Sequence, residues 1–161
     1  MKVYFDHIYA FEPDMDNYLK LKRNTENNPR ITCRCSGLGY KNGFLPFRGG
    51  IDVSSKVDEE GDQKVHIESI DNHFTDVHVT FIKMDIEGSE YSALVGGKQT
   101  IARYLPTLAV CAYHKRNDLF SLPKLINEIS GFRYLIFLRH TFYYLPEKIQ
   151  PDIVFYAIAK A

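Results

Sequence analysis

Strand-like and helix-like segments alternate along the sequence from residue 8 to about residue 130, and only strand-like segments follow. Such alternation is typical of α/β folds, in which helices cross over the sheet and join parallel strands. The final strand-like segments have no helix between them, which favours antiparallel pairing. The pattern therefore predicts a mostly parallel α/β sheet that is finished by a C-terminal antiparallel hairpin. The predicted strands of the alternating part are Ile8–Phe11, Ile31–Cys35, Val79–Met84 and Thr107–Ala112.

Start and stop signals define the helices between these strands. Pro106 stops the longest helical pattern, because proline cannot continue a helix. Ser121 followed by Pro123 is typical of an N-cap and first turn, and Gly131 is typical of the residue that ends a helix. The predicted helices are Asp14–Asn27, Ser69–Phe74, Gly88–Tyr104 and Ser121–Gly131.

The middle of the sequence, residues 37–68, is rich in glycine and strand-like only in pieces. We expect this part to be a β-rich insertion within a single domain that spans residues 1–161, since 161 residues is the usual size of one domain. Its strand-like pieces are Phe44–Phe47, Ile51–Val53 and Val65–Glu68, with a charged, exposed turn at Asp58–Lys64. The closing strand-like segments are Phe132–Arg139, Phe142–Leu145 and Ile153–Ala159.

Charge and cysteine content exclude several classes of partner and compartment. The chain has 20 basic and 20 acidic residues, so it lacks the basic surplus that a non-specific nucleic-acid binder needs. It has no apolar run of the ~20 residues that cross a bilayer, and Asp6 and His7 interrupt any apolar signal segment at the start. Three cysteines without a Cys-x-x-Cys pair are typical of reduced thiols. We therefore expect a cytoplasmic protein without nucleic-acid or membrane partners.

The candidate site residues are those that follow the strands, because ligands of open α/β sheets bind beyond the carboxyl ends of the strands. Glu12 ends the first strand, where a carboxylate can accept two hydrogen bonds from a ribose diol or complement the dipole of the following helix. Ser36 ends the second strand and is a candidate for cofactor binding. Both interpretations of Glu12 stay open from its position alone.

An acidic cluster follows the third strand. Asp85 and Glu87 could together hold a cation, or one of them could act as a base; capping of the next helix is the alternative. For Glu90, helix capping is the favoured interpretation. His114 follows the fourth strand and could act as a general base, although a structural role is the more common one for such a histidine. The motifs of P-loop proteins, serine hydrolases and zinc proteases are absent from the sequence.

Two blocks of the sequence resemble the FkbM-type methyltransferase family. The first, Ile8–Asp14, is similar to the second strand of that family and the start of the helix behind it, with further matches at Asn17, Leu21 and Asn24. The second, Phe81–Glu90, contains Lys-x-Asp-x-Glu-Gly-x-Glu, which is similar to the most distinctive block of the family. Downstream matches are Leu94, Gly96, Tyr113, His114, Leu138–His140 and the final strand.

The resemblance implies a Rossmann-like methyltransferase sheet that binds S-adenosylmethionine and methylates a hydroxyl oxygen of a small molecule or glycan. By position in the family pattern, Glu12 would hold the ribose hydroxyls, and Asp85 would lie beside the methionine end of the cofactor. Glu87 and His114 would face the acceptor. Since methyl transfer is an in-line displacement, positioning of the two reactants is expected to supply most of the rate.

One part of the family pattern is missing. The family begins with a strand and an Asp-x-Gly-x-Asn-x-Gly loop upstream of the first block, but only seven residues precede Ile8 here. We therefore expect an N-terminally truncated fold, either a fragment of a longer methyltransferase or a short relative that serves as a non-catalytic interaction module. Dimerisation through an exposed sheet edge is a further possibility. A metal-dependent hydrolase built on Asp85, Glu87 and His114 is a third, weaker hypothesis.

Overall fold

A computed structural model describes residues 5–48, 56–57, 63–145 and 148–160 of the chain. Its strands are β1 (Ile8–Phe11), β2 (Ile31–Arg34), β3 (Gly37–Leu38), β4 (Gly43–Arg48), β5 (Lys56–Val57), β6 (Gln63–Glu68), β7 (Phe81–Met84), β8 (Thr107–Cys111), β9 (Tyr134–Leu145) and β10 (Lys148–Ala159). Its helices are α1 (Met15–Thr25), α2 (Ile70–His73), α3 (Glu90–Gly96), α4 (Lys98–Tyr104) and α5 (Asp118–Ser130). The fold is α/β, as the alternation predicts.

The described strands form one parallel and two mixed sheets, which corrects the expectation of one mostly parallel Rossmann-like sheet. The sheets have the strand orders β1-β2, β7-β8-β10-β9 and β3-β6-β4-β5. Pairing is parallel for β1-β2 and β7-β8, whose connections contain helices, and for β3-β6. It is antiparallel for β10 with both of its neighbours and for β4 with both of its neighbours. β9 and β10 follow each other with too few residues between them for the crossover that a parallel pair needs, which accounts for their antiparallel pairing.

The C-terminal hairpin is confirmed and is longer than the sequence pattern indicates. β9 and β10 are each 12 residues long and pair along their whole length, from Tyr134 opposite Ala159 to Leu145 opposite Lys148. Two of the closing segments, Phe132–Arg139 and Phe142–Leu145, are therefore parts of one strand. β10 lies between β8 and β9, so the hairpin extends the sheet that carries β7 and β8.

The long helix predicted at Gly88–Tyr104 is two helices, α3 and α4, that meet at Gly97. The backbone at Gly97 leaves the helical region, with φ −114° and ψ 11°. A Cβ on the preceding Gly96 would overlap the carbonyl oxygen of Gly39. The break between α3 and α4 therefore occurs where the distant backbone of Gly39 comes close to the helix. The periodicity of apolar residues within a helix contains no information about such a contact.

The predicted start of the last helix at Ser121 is wrong by three residues. α5 begins at Asp118, whose Oδ2 accepts a 2.8 Å hydrogen bond from the N–H of Lys115, and Pro123 lies inside the helix. Gly131 ends it with φ 61°, as predicted. The predicted start of α1 is confirmed: Oδ1 of its N-cap Asp14 accepts a 2.9 Å hydrogen bond from the N–H of Asn17.

The main core lies between helices α3–α5 and one face of the β7-β8-β10-β9 sheet. Its fully buried members include Met84, Leu94, Ile101, Leu108, Val110, Leu122 and Ile126. On the other face of the hairpin, Leu135 and Ile158 stand opposite each other and are 50% and 45% exposed. Burial of one face of this sheet by helices is therefore the main source of hydrophobic stabilisation in the described part of the chain.

A second, smaller core of Phe47, Val65 and Ile67 belongs to the β3-β6-β4-β5 sheet, which comes from residues 37–68. The predicted strand Ile51–Val53 and most of the predicted turn Asp58–Lys64 lie outside the described residues. The assignment of residues 37–68 as an insertion in one domain stays a prediction. No helix within the described ranges is long and apolar enough to cross a membrane.

Candidate active site at the carboxyl ends of β7 and β8

Parallel pairing of β7 and β8 brings the segments that follow them to one edge of the sheet. There, Nε2 of His114 lies 3.7 Å from Oδ1 of Asp85 and 3.6 Å from Oε2 of Glu87. Nδ1 of the same ring lies 2.9 Å from Oε1 of Glu90. Three of the residues predicted from the sequence are thus brought together around one imidazole, and Glu90 joins them.

The turn that carries this cluster has an unusual backbone. Glu87 has φ 53° and Gly88 has φ 90°, both in the left-handed region that is uncommon for residues other than glycine. A Cβ on Gly88 would lie 3.0 Å from Cε of Lys115 and 3.6 Å from Cβ of His114, so glycine also provides close packing there. Strained backbone of this kind persists where the surrounding structure holds it, and it clusters at functional sites.

Asp85 is held in its ionised form. Burial raises the pKa of its carboxyl, but a 3.0 Å hydrogen bond from the hydroxyl of Tyr113 to Oδ1 and the charge of Lys83 more than offset this, so the pKa is lowered. Nζ of Lys83 lies 3.5 Å from Oδ2. Side chains of Asp85 and Glu87 are 38% and 34% exposed, which leaves both carboxylates accessible to a ligand.

His114 and Glu90 form a buried ion pair, with side chains 9% and 1% exposed. Burial lowers the pKa of His114, but pairing with Glu90 and the charges of Glu87 and Asp85 outweigh it, so the pKa is raised. For Glu90, burial raises the pKa, and the contacts with His114 and with the N–H of Ile86 reverse that shift, so the pKa is lowered. The pair is therefore an imidazolium and a carboxylate over a wider pH range than the free side chains.

Sequence reasoning missed the importance of Glu90. Its Oε1 accepts a 3.0 Å hydrogen bond from the N–H of Ile86, which precedes α3, and the side chain is buried instead of solvated. The helical spacing contains the signal, because Ala93 and Leu94, three and four residues on, are both completely buried. Glu90 thus lies on the inward face of α3.

Glu12 lies at the end of β1, on a different sheet from the His114 cluster. Its Oε1 accepts a 2.9 Å hydrogen bond from the N–H of Asp14, while Oε2 makes no hydrogen bond to any residue in the described part of the chain. Burial raises the pKa of the carboxyl. The residue has one free, half-buried carboxylate oxygen at a strand end, so a hydroxyl group could donate to it.

Ser36 is 1% exposed, and its hydroxyl donates a 2.6 Å hydrogen bond to Oε1 of Glu68. Glu68 also accepts hydrogen bonds from Arg34 at 3.1 Å and pairs with Nδ1 of His73 at 2.7 Å. Burial raises the pKa of Glu68, and these three partners together lower it below its usual value. The sequence gives no signal for Glu68, which lies at the end of a strand within the predicted insertion.

Metal binding by this site receives no structural support. In the ranges that the structure describes, no group of three or more histidine, cysteine, aspartate and glutamate side chains has an arrangement that could hold a metal ion. The cluster around His114 is instead an ion-pair network in which the imidazole occupies the centre.

Comparison with known proteins identifies the family. The sequence model of the methyltransferase FkbM domain matches residues 4–136. A crystal structure of methyltransferase FkbM from Methylobacillus flagellatus KT is similar to the chain, with a TM-score of 0.73 and 33% identity over 95% of this chain and 36% of the other. The chain thus spans little more than a third of that relative, and no curated protein matches it significantly. Because the family match covers most of its length, the chain belongs to the FkbM methyltransferase family.

Proposed function

We propose that this chain forms an S-adenosylmethionine-dependent O-methyltransferase domain that acts on a hydroxyl group of a small molecule or glycan. The observation that carries the proposal is the arrangement of Asp85, Glu87 and His114 at the carboxyl ends of two parallel strands. Ligands of open α/β sheets bind at such strand ends. The family supplies the reaction class, and the cluster supplies accessible carboxylates beside a fixed cation.

The residues present fit the cofactor at two positions. The free oxygen of Glu12 suits a ribose hydroxyl, and its half-buried position excludes part of the competing water. Asp85 is held ionised by Tyr113 and Lys83, which suits it to the positively charged end of the cofactor. When bound, S-adenosylmethionine supplies a methyl group on a positively charged sulfur. Ser36 offers its hydroxyl to Glu68, so a cofactor contact by Ser36 would use its backbone.

Glu87 is the proposed base. Its carboxylate is accessible, and Oε2 can accept the proton of an acceptor hydroxyl as that oxygen gains its new bond to carbon. The contact with Glu90 raises the pKa of His114 and so favours the imidazolium, which in this proposal is the cation that offsets the charge of Glu87 and Asp85. The acceptor proton ends on Glu87 and leaves to solvent after the product departs.

Titration calorimetry with S-adenosylhomocysteine on this chain tests cofactor binding. We expect binding by the wild type and a weaker affinity, by about tenfold, for Glu12→Gln, since one charge-assisted hydrogen bond contributes about 1.5 kcal/mol. Glu128→Gln is the matched control, because Glu128 is exposed and pairs with Lys124 one turn away on α5. Absence of heat at millimolar ligand would contradict the enzyme proposal for this chain.

A second candidate function is a non-catalytic interaction module that self-associates. The observation that favours it is the exposed apolar surface of the hairpin, where Leu135, Phe137 and Ile158 are each about half exposed. β9 is also an edge strand of its sheet among the described residues. Sedimentation velocity is expected to show a dimer, and Phe137→Lys should weaken its association. A monodisperse monomer with clear cofactor affinity would contradict the interaction-module hypothesis.

The balanced charge gives no reason to propose nucleic acid as the partner.

We propose a cytoplasmic location on the basis of the cysteines. Cys33, Cys35 and Cys111 are all free thiols. Free thiols are typical of reducing compartments. Fractionation of the native cells should recover the protein in the cytoplasm with all three thiols open to labelling after denaturation; recovery elsewhere or a stable disulfide would contradict this proposal.

A further inference from the structure

Glu90 and His114 join two segments that are 24 residues apart in the sequence, and they do so in the interior. Oε1 of Glu90 lies 2.9 Å from Nδ1 of His114, with side chains 1% and 9% exposed. Glu90 lies on the first turn of α3, and His114 follows β8. Their contact therefore fixes the His114 ring relative to α3. The pair therefore defines the position of the imidazole within the cluster.

Helix capping accounts for only part of the surroundings of Glu90, whose carboxylate also interacts with its own N–H at the first position of α3. Its Oε1 accepts from the N–H of Ile86 in the preceding turn, and the N-cap residue Ser89 makes no capping hydrogen bond with its side chain. Oε2 of Glu90 is buried and has no hydrogen-bond partner among the described residues. Burying a carboxylate that is only partly satisfied costs stability, so such a group in a folded protein calls for a further explanation.

The other side of the ring points into the candidate active site. Both ring nitrogens of His114 are buried, and neither has an aligned hydrogen bond within the part of the chain that the structure describes, so the 2.9 Å approach of Nδ1 to Oε1 of Glu90 is an ion-pair contact. Nε2 faces Asp85 and Glu87 at 3.7 Å and 3.6 Å, distances that are longer than a hydrogen bond. A buried N–H thus faces two carboxylates that are themselves partly exposed.

We propose that Glu90 is a positioning residue, which holds the ring of His114 so that Nε2–H is presented to Asp85 and Glu87. Glu90 itself touches no ligand in this arrangement and acts only through His114. The consequence for methyl transfer rests on the proposed function. The orientation and the charge of the His114 ring are independent of the proposed function, because both are properties of the chain without any ligand.

Charged and polar groups face His114 from three elements of the structure. The turn after β7 contributes Asp85 and Glu87, the helix α3 contributes Glu90, and the segment after β8 contributes Tyr113, whose ring centre lies 4.2 Å from that of His114. Lys83 partly offsets the negative charge through Asp85. Glu90 is the nearest of the carboxylates to the ring and the most deeply buried, so its charge dominates the proton affinity of His114.

Histidine titration by NMR tests the proposal without any ligand. In Glu90→Gln, we expect the midpoint of the His114 ring signals to fall by about one pH unit, a tenfold loss of proton affinity. Glu68→Gln is the matched control, because it removes a buried carboxylate that pairs with His73 instead. Glu68→Gln should leave the midpoint of the His114 signals unchanged. An unchanged His114 midpoint in Glu90→Gln would overturn the proposal.

Two further measurements separate this proposal from folding effects and from the proposed function. If Glu90→Gln does not fold, Glu90→Asp retains the charge farther from the ring and should produce a smaller shift; no shift there would overturn the proposal. In methyl-transfer assays, Glu90→Gln should lower kcat and move the pH profile while the affinity for S-adenosylhomocysteine is unchanged. Absence of cofactor binding by the wild type would contradict the proposed function. The NMR titration of His114 would still test the proposal for Glu90, because it needs no cofactor.

Discussion

The hydroxyl of Ser36 donates a 2.6 Å hydrogen bond to Oε1 of Glu68, which joins the end of β2 to the end of β6. Glu68 is buried and ionised, with its pKa lowered by Ser36, His73 and Arg34 against the opposing effect of burial. A predicted cofactor ligand is thus part of an internal network. The network links the β1-β2 sheet to the β3-β6-β4-β5 sheet. Its polar contacts therefore stabilise the end of β2, next to the end of β1 where the candidate cofactor residue Glu12 lies.

The first prediction concerns Ser36→Ala. The substitution removes one hydrogen bond from a buried carboxylate, so we expect a loss of about 2 kcal/mol in the free energy of unfolding at neutral pH. Urea denaturation followed by circular dichroism measures it. Affinity for S-adenosylhomocysteine should change less than threefold. Loss of that affinity with unchanged stability would instead support a direct cofactor contact by the hydroxyl.

The second prediction uses the close approach of Gly96 to Gly39. A Cβ at position 96 would overlap the carbonyl oxygen of Gly39, so Gly96→Ala should lower the free energy of unfolding by about 3 kcal/mol, the upper end for overpacking. Gly43→Ala is the control, since a Cβ there meets nothing within 4 Å. Equal free energies of unfolding for Gly96→Ala and Gly43→Ala in urea denaturation would contradict this prediction, because helix α3 would then move away from Gly39 without loss of stability.

The same contact explains which part of the fold could be predicted from the sequence. Strand β1 and the start of α1 follow from local signals, an apolar run and the N-cap Asp14, and both are where the sequence predicts them. The break at Gly97 accompanies a contact with Gly39, nearly 60 residues earlier, and helical periodicity in residues 88–104 contains no trace of it. Strand order depends on similar long-range pairing, so the described strands form one parallel and two mixed sheets where the sequence predicts a single sheet.

For the candidate site, the sequence predicts which residues lie close together but not their charge states or their hydrogen-bond partners. Parallel pairing of β7 and β8 was expected, and it brings Asp85, Glu87 and His114 together. The charge state of His114 was not predictable, because it depends on Glu90, whose burial is a property of the packed helix. Ser36 was placed correctly at a strand end, but the partner of its hydroxyl comes from a different sheet.

The third prediction is a pH dependence of stability that His114 causes. Its pKa is raised in the folded protein above the usual 6.5, because the contacts with Glu90, Glu87 and Asp85 outweigh burial. The folded state therefore binds the proton more tightly than the unfolded chain. The resulting stabilisation is fully present below pH 6.5 and is lost as the pH rises through the folded pKa.

His114→Gln provides the comparison for this pH dependence. The difference in unfolding free energy between wild type and His114→Gln should shrink as the pH is raised from about 6.5, the usual pKa of histidine, towards about 9. Urea denaturation at each pH measures it. A difference that stays constant or grows over this range would show that the proton of His114 contributes nothing to folding.

The fourth prediction concerns Glu87→Gln. An amide keeps the shape of the side chain and adapts to the same left-handed backbone at φ 53°, but it cannot take the acceptor proton. We therefore expect kcat for methyl transfer to fall by about 10²- to 10⁴-fold, with little change in affinity for S-adenosylhomocysteine. Initial rates with labelled S-adenosylmethionine measure the loss, and Glu128→Gln again serves as the exposed control. A rate within twofold of wild type would exclude Glu87 as the base and leave Asp85 as the remaining accessible carboxylate of the cluster.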